Sequence, residues 1–179
     1  MASGAKGDTN VHVYVWGSEV KNGMSLTKLA GHSDGITCMT MMADGQSFVS
    51  ASDDSSARLW KNGECAHVLK GHDKAIRGVG SCGSVLEQYI VTGSEDATVR
   101  VWDADSGETT AVLGGHTNWI KCLALRENMD GSISVATGGM DNKVCVWNSE
   151  EGSKQFEDTS NSLSSSYSLS SSSSLSSSS

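Results

Sequence analysis

Three stretches of this chain end on a tryptophan preceded by the same polar residues at the same distances, and that recurrence leaves the fold little freedom. They read SASDDSSARLWK (Ser50–Lys61), TGSEDATVRVWD (Thr92–Asp103) and TGGMDNKVCVWN (Thr137–Asn148). Six residues before each tryptophan stands an aspartate (Asp54, Asp96, Asp141), and ten before it a hydroxyl residue (Ser50, Thr92, Thr137). Upstream of each lies a Gly-His pair: Gly31-His32, Gly71-His72 and Gly115-His116. A shorter echo, VHVYVWG, ends at Trp16 and Gly17. Several offsets held together mark one supersecondary unit copied along the chain.

Within each copy the apolar runs are short and alternate with turn residues. Between histidine and hydroxyl lie two strand-like runs, Ile36–Met42 with Ser47–Ala51, Ala75–Cys82 with Tyr89–Thr92, and Trp119–Leu125 with Ile133–Ala136. Turns are expected at Ala43-Asp44-Gly45 and Asp130-Gly131. The stretch ending in tryptophan is a third strand, and Cys65–Leu69 and Thr109–Leu113 are fourth strands. The histidine-to-hydroxyl spacing varies (18, 20 and 21) while the hydroxyl-to-tryptophan spacing is always 10, so length variation is confined to one hairpin loop. Tryptophans recur at 44, 42 and 45 residues, the period of a four-stranded propeller blade. The expected fold is all-β: a β-propeller of four-stranded antiparallel blades, with three full blades plus a two-strand partial blade in an open or partial ring. Expected boundaries are a disordered terminus at 1–10, a partial blade at 11–30, blades at about 31–70, 71–114 and 115–157, and a Ser-rich disordered tail at 158–179. Strands Val11–Trp16 and Met24–Ala30, joined through Gly17, Asn22 and Gly23, make the partial blade. Ser153–Phe156 is a candidate outer strand for the last.

Charge and cysteine usage narrow the function classes. A net charge of −8 disfavours a phosphate-binding footprint over the whole surface. Cys38, Cys65, Cys82, Cys122 and Cys145 form no CxxC pair, and no histidines stand at zinc spacing, so no metal site is expected. Buried thiols in a reducing compartment fit that scatter. No run is long enough to span a membrane and MASGAKGDTN has no apolar signal core, so a cytosolic or nuclear location is expected.

Gly-His followed by S/T-G-S-x-D-x-T-V-R-V-W-D resembles the WD-repeat β-propeller family over about residues 11–150. Lys61 and Asn148 stand for the terminal Asp, Lys143 for the Thr and Ala51 for a Gly. The N-terminal echo lacks the Gly-His and has only Asn10 for the aspartate. LWKNGECAHVLKGH and ATGGMDNKVCVW look somewhat like blades of ubiquitin-binding WD-repeat proteins linked to protein degradation.

Histidine, hydroxyl and aspartate together invite comparison with a hydrolase triad. Three equivalent sets, each with a tryptophan, argue for scaffolding instead: His32/Ser50/Asp54/Trp60, His72/Thr92/Asp96/Trp102 and His116/Thr137/Asp141/Trp147. The resemblance supports a chain from indole to hydroxyl to histidine to aspartate. No catalytic residues, cofactor or nucleotide motif are expected; DADSG at Asp103–Gly107 is a hairpin turn, not a calcium loop. The resemblance also implies partner contacts at the third and fifth residues after each histidine and the residue before each aspartate. Those are Gly35, Thr37 and Asp53; Ala75, Arg77 and Glu95; and Trp119, Lys121 and Met140. Trp119 stands outside the internal sets and is either an interface anchor or packing between blades. Arg77 is a candidate to pair with Glu95.

The expected function is a non-catalytic scaffold presenting a propeller rim to a peptide or protein partner. One alternative is an adaptor that binds ubiquitin in protein degradation. Another is phosphate or nucleic-acid binding through Lys74, Arg77, Lys121 and Arg126, which the net charge disfavours. Because an open array leaves an apolar blade face at each end, self-association or membership of a longer protein is expected.

Overall fold

The computed structural model of the chain describes residues 12–16, 26–83, 88–149 and 156–158. The expected disordered terminus, Asn10, the Gly17–Gly23 turn and the tail from 159 onward lie outside the described residues. Every described element is a strand: β1 His12–Trp16, β2 Leu26–Ala30, β3 Ile36–Met41, β4 Phe48–Ser52, β5 Ser56–Lys61, β6 Glu64–Lys70 and β7 Ile76–Gly83. The chain continues through β8 Gln88–Ser94, β9 Val99–Asp103, β10 Thr109–Leu113, β11 Ile120–Glu127, β12 Ile133–Gly139, β13 Val144–Ser149 and β14 Phe156–Asp158. Strand β14 begins where the candidate outer strand Ser153–Phe156 ends. The sheets are β3–β6, β7–β10 and β11–β14, each an antiparallel meander of four strands, and a two-stranded sheet β1–β2. We call the four-stranded sheets blades 1, 2 and 3; they form an open all-β array.

Burial follows from stacking these sheets face to face. Strand β4 is buried at every position because both of its faces are covered, whereas β6 alternates as an outer strand does. Val49, Ala51 and Leu59 of blade 1 meet Ile76, Ile90 and Trp102 of blade 2. Val91, Val99 and Val101 of blade 2 meet Ile120, Val135 and Trp147 of blade 3 in the same way. Fully burying one such side chain stabilises by roughly 1.5–3 kcal/mol. Leu29 of β2 covers Phe48 and Trp60 on the other face of blade 1.

Thiol burial departs from the expectation. Cys145 is buried and Cys38, Cys65 and Cys82 are half-buried, but Cys122 is exposed. Cys122 follows His116 at the same distance as Cys38 follows His32, and Cys38 packs against the next blade. No described residue covers that face in blade 3.

Two local devices place the rim. The inner strand of each blade carries a β-bulge, between Ile36 and Cys38, Ile76 and Gly78, and Ile120 and Cys122. The residues set apart by those bulges are Thr37, Arg77 and Lys121. A bulge interrupts the ladder and re-aims one side chain, so these three side chains leave the regular alternation. The residue after each buried aspartate is left-handed: Ser55, Ala97 and Asn142 have φ of 66°, 69° and 62°. That conformation tightens the turn between second and third strands and brings the residue before the aspartate over the start of the inner strand.

Candidate functional site

The recurrent polar sets fold into buried hydrogen-bond chains. In blade 1 the Trp60 indole N–H donates to Ser50 Oγ at 2.8 Å, Ser50 Oγ lies 2.8 Å from His32 Nε2, and His32 Nδ1 lies 2.8 Å from Asp54 Oδ2. Blade 2 repeats this with Trp102, Thr92, His72 and Asp96 at 2.9, 2.8 and 2.7 Å. In blade 3, His116 Nε2 is 2.9 Å from Thr137 Oγ1 and Nδ1 is 2.9 Å from Asp141 Oδ2. Burial lowers the pKa of His32 and His72, outweighing the bonds and charges of Asp54 and Asp96 that act to raise it. Burial alone would raise the Asp54 carboxyl, but bonds from Ser56, His32 and the Ser33 amide together hold it at about 2. With a neutral imidazole facing a carboxylate, Nδ1 carries the proton and Nε2 accepts from the hydroxyl.

That polarity is the one a hydrolase triad uses, yet these hydroxyls cannot attack a substrate. Ser50 and Thr92 are fully buried, and each oxygen already accepts an indole N–H. A nucleophile needs an open approach beside an oxyanion site. The chains are therefore clamps that join the loop before the first strand to the second and third strands.

The aspartates tie in more than the histidines. Asp96 also accepts the amides of Asp73 and Thr98 and the Thr98 hydroxyl, at 3.1, 2.9 and 2.7 Å. Asp54 does the same with Ser33, Ser56 and the Ser56 hydroxyl, at 3.0, 2.9 and 2.6 Å. In blades 1 and 2 an arginine lies over the glycine of the Gly-His pair. A Cβ on Gly31 or Gly71 would lie 2.8 Å from the guanidinium of Arg58 or Arg100, respectively. Sequence reasoning found the pair but not this arginine, whose position two before the tryptophan was the available signal.

On the rim, one backbone bond recurs at every blade: Asp53 N–H to Gly35 O, Glu95 N–H to Ala75 O, and Met140 N–H to Trp119 O, at 2.9, 2.9 and 2.8 Å. It sets the residue before each aspartate beside the third residue after each histidine. The bulged residue of each following blade then reaches back across the junction. Arg77 of blade 2 lies between Asp53 of blade 1, at 2.9 Å from Nη1, and Glu95 of its own blade, at 2.8 Å from Nε. The Glu95 contact is a directed hydrogen bond, whereas the Asp53 oxygen meets Nη1 at ion-pair distance without an aligned N–H. Lys121 of blade 3 approaches Glu95 at 3.7 Å and lies over the Trp119 ring, 4.7 Å from its centroid. The result is one ladder, Asp53–Arg77–Glu95–Lys121–Trp119, crossing two junctions. The hydrogen bond that Arg77 donates to Glu95, more than the charge of Asp53, holds Arg77 charged more firmly than usual.

Each expected rim residue has a definite place. Trp119 is 38% exposed and Met140 52% among the described residues. Thr37 is half-buried, and its hydroxyl lies 2.6 Å from Ile76 O and 3.2 Å from Ala51 O, which commits it to the blade 1–2 junction. Of the four cations of the basic-patch reading, Arg77 and Lys121 meet at Glu95, and Arg126 stands apart from them. Arg77 is held by two carboxylates, and Arg126 bonds Asn128 at the far end of β11, about 16 Å along the strand from Lys121. A cavity of about 300 Å³ lies beside that far end, lined by Met41, Cys82, Leu125 and Glu127 among others. Burial, then the Glu127 charge, pushes the Cys82 thiol up to about 12, so it is no thiolate nucleophile at neutral pH. Among the described residues no cluster could hold a metal, and no helix is long and apolar enough to cross a membrane.

Comparison with known proteins agrees with this geometry. The family described as "WD domain, G-beta repeat" matches residues 23–61, 63–103 and 107–148. Nuclear distribution protein PAC1 of Yarrowia lipolytica is 37% identical over 107 residues, covering 55% of this chain and 23% of that protein. Protein tipD of Dictyostelium discoideum is 30% identical over 83% of this chain and 23% of its own length. DENN domain and WD repeat-containing protein SCD1 of Arabidopsis thaliana is 29% identical over 85% of this chain and 12% of its length. The chain thus spans a quarter or less of each of these relatives.

Proposed function

Because the chain belongs to the WD-repeat family, we propose that it is a non-catalytic interaction scaffold whose rim binds a protein or peptide segment in the cytosol or nucleus. The observation that carries this reading is the ladder ending at Trp119. An exposed aromatic with Lys121 over its ring and Met140 beside it is a rigid, partly apolar anchor. Aromatic anchors dominate interface energetics, and Lys121, paired with Glu95 of blade 2, connects the Trp119 ring to the ladder. The closed hydroxyls of Ser50 and Thr92 support the non-catalytic part of this reading. The working unit is residues 11–157, with partner contacts at Trp119, Lys121 and Met140 first and at Asp53, Arg77 and Glu95 through the ladder.

A quantitative pull-down tests this with Trp119→Ala and Lys121→Glu against wild type, each with an unchanged melting temperature. Recovery of the rim partner should fall at least tenfold for Trp119→Ala. Equal recovery with either variant would remove the proposed site.

A further inference from the structure

The rim ladder follows a rule that blade 1 leaves unfinished. The bulged residue of a blade reaches back to the residue before the aspartate of the preceding blade, Arg77 to Asp53 and Lys121 to Glu95. Arg77 also bonds Glu95 of its own blade. Glu95 therefore has two cations, and its side chain is only 11% exposed. Asp53 has Arg77 alone among the described residues, and its side chain is 36% exposed. Its own blade offers Thr37 at the bulge, where blade 2 offers Arg77. The Thr37 hydroxyl lies against Ile76 O and Ala51 O and makes no bond to Asp53.

The ground beside Asp53 is open and carries unpaired negative charge. Asp53 Oδ2 accepts no hydrogen bond from a described residue and hangs over the start of the inner strand, where a Cβ on Gly35 would lie 3.1 Å from it. Asp34 Oδ1 takes the Gly35 amide at 2.7 Å, as Asn118 Oδ1 takes the Trp119 amide at 2.8 Å in blade 3. No described cation stands at ion-pair distance from the exposed Asp34. Two carboxylates thus border a glycine with no side chain to fill the space, whereas Ala75 and Trp119 stand at that position in blades 2 and 3. The ladder itself indicates which cation suits such a place. Arg77 spans two carboxylates at 2.9 and 2.8 Å, while Lys121 stands 3.7 Å from one. A planar guanidinium with several N–H donors serves two carboxylates where a point-like ammonium serves one.

We infer that an arginine side chain of the peptide bound on the rim fills this place. Its guanidinium pairs with Asp53 Oδ2 and Asp34 as that of Arg77 pairs with Asp53 and Glu95. The inference rests on the reading of the rim as a peptide-binding surface and gives the bound segment a direction. Its arginine lies at the blade 1 end, and the residue that meets Trp119 and Met140 lies at the blade 3 end. A net charge of −8 on the chain favours the approach of such a cationic segment.

The probe is a library of random peptides displayed on phage and selected on the full chain. Recovered peptides should carry an arginine at a fixed distance from an apolar residue. Selection on Asp53→Asn should lose the arginine and keep the apolar residue. Asp34→Asn retains a side-chain oxygen for the Gly35 amide, as Asn118 does for Trp119, and should weaken a recovered peptide by roughly fivefold. Thr37→Arg, which supplies a guanidinium from the chain itself, should abolish the preference for arginine. Lysine recovered as often as arginine would overturn the inference, as would an arginine preference that survives both asparagine variants. Peptides that lack arginine yet fail to bind Trp119→Ala would overturn it and leave the rim reading standing. Peptides indifferent to both Asp53→Asn and Trp119→Ala, or no recovered peptide at all, would remove both.

Discussion

Blades 2 and 3 hold the same histidine, hydroxyl, aspartate and tryptophan, and the support behind those residues differs. In blade 2, Ser94 bridges Lys74 O and the Asp96 amide, Thr98 bonds Asp96 through both its amide and its hydroxyl, and Arg100 lies over the Trp102 ring. Blade 3 has Gly139, Lys143 and Cys145 at those places, and Asp141 keeps His116 and the amides of Thr117 and Lys143. Beyond the clamp, Val99 of blade 2 is fully buried under blade 3, while Val144, its counterpart, is 70% exposed. Four residues thus suffice to set the path of a blade. How firmly it is held depends on the supporting shell and on a neighbour.

Acid should break the comparison most broadly, because it acts on every clamp at once. The folded state holds His32 and His72 neutral, whereas unfolded histidines protonate near pH 6.5. Stability is therefore full above that pH and falls as pH drops below it. A second loss follows below about pH 4, where unfolded aspartates protonate while Asp54, held at about 2, and Asp96, held below its usual range, remain ionised. Urea midpoints at pH 8, 6 and 4 should decline in that order; a flat profile would mean that the clamps do not couple to protonation.

Asp96→Ala should be the most damaging single change of the set. It strips partners from a buried histidine, two amides and a hydroxyl, for a loss of about 3 kcal/mol. Asp141→Ala should cost less, and urea denaturation of the two variants ranks them. A reversed order would refute the reading that blade 3 is the less supported. Lys143→Thr should restore the hydroxyl bond that Thr98 makes in blade 2 and add about 1 kcal/mol. Ala97→Gly should relieve a left-handed alanine and add about 0.5 kcal/mol, whereas Asn142→Gly should gain less because asparagine tolerates that conformation. Thermal melts of these two glycine variants should therefore differ in the direction of Ala97→Gly.

The strand order and blade count were legible because each copy repeats its polar offsets around a fixed hydroxyl-to-tryptophan spacing. The rim was legible only as positions. Arg77 was a candidate partner for Glu95 from charge alone, but its reach to Asp53 needed the bulge and the stacking of two blades. Thr37 looked like its counterparts in sequence and proved to hold a junction, because a hydroxyl on a short side chain finds the nearest carbonyl. Met39 and Met41 read as ordinary strand residues. Their exposure depends on what stands opposite, which spacing within one repeat does not encode.

Hydrogen exchange resolved by strand, on the unmodified chain near neutral pH, tests the difference between the blades most directly. The same histidine, hydroxyl and aspartate chain with unequal support behind it predicts that amides of β12 and β13 exchange at least tenfold faster than those of β8 and β9. Equal protection of the two pairs, or greater protection of β12 and β13, would contradict the account.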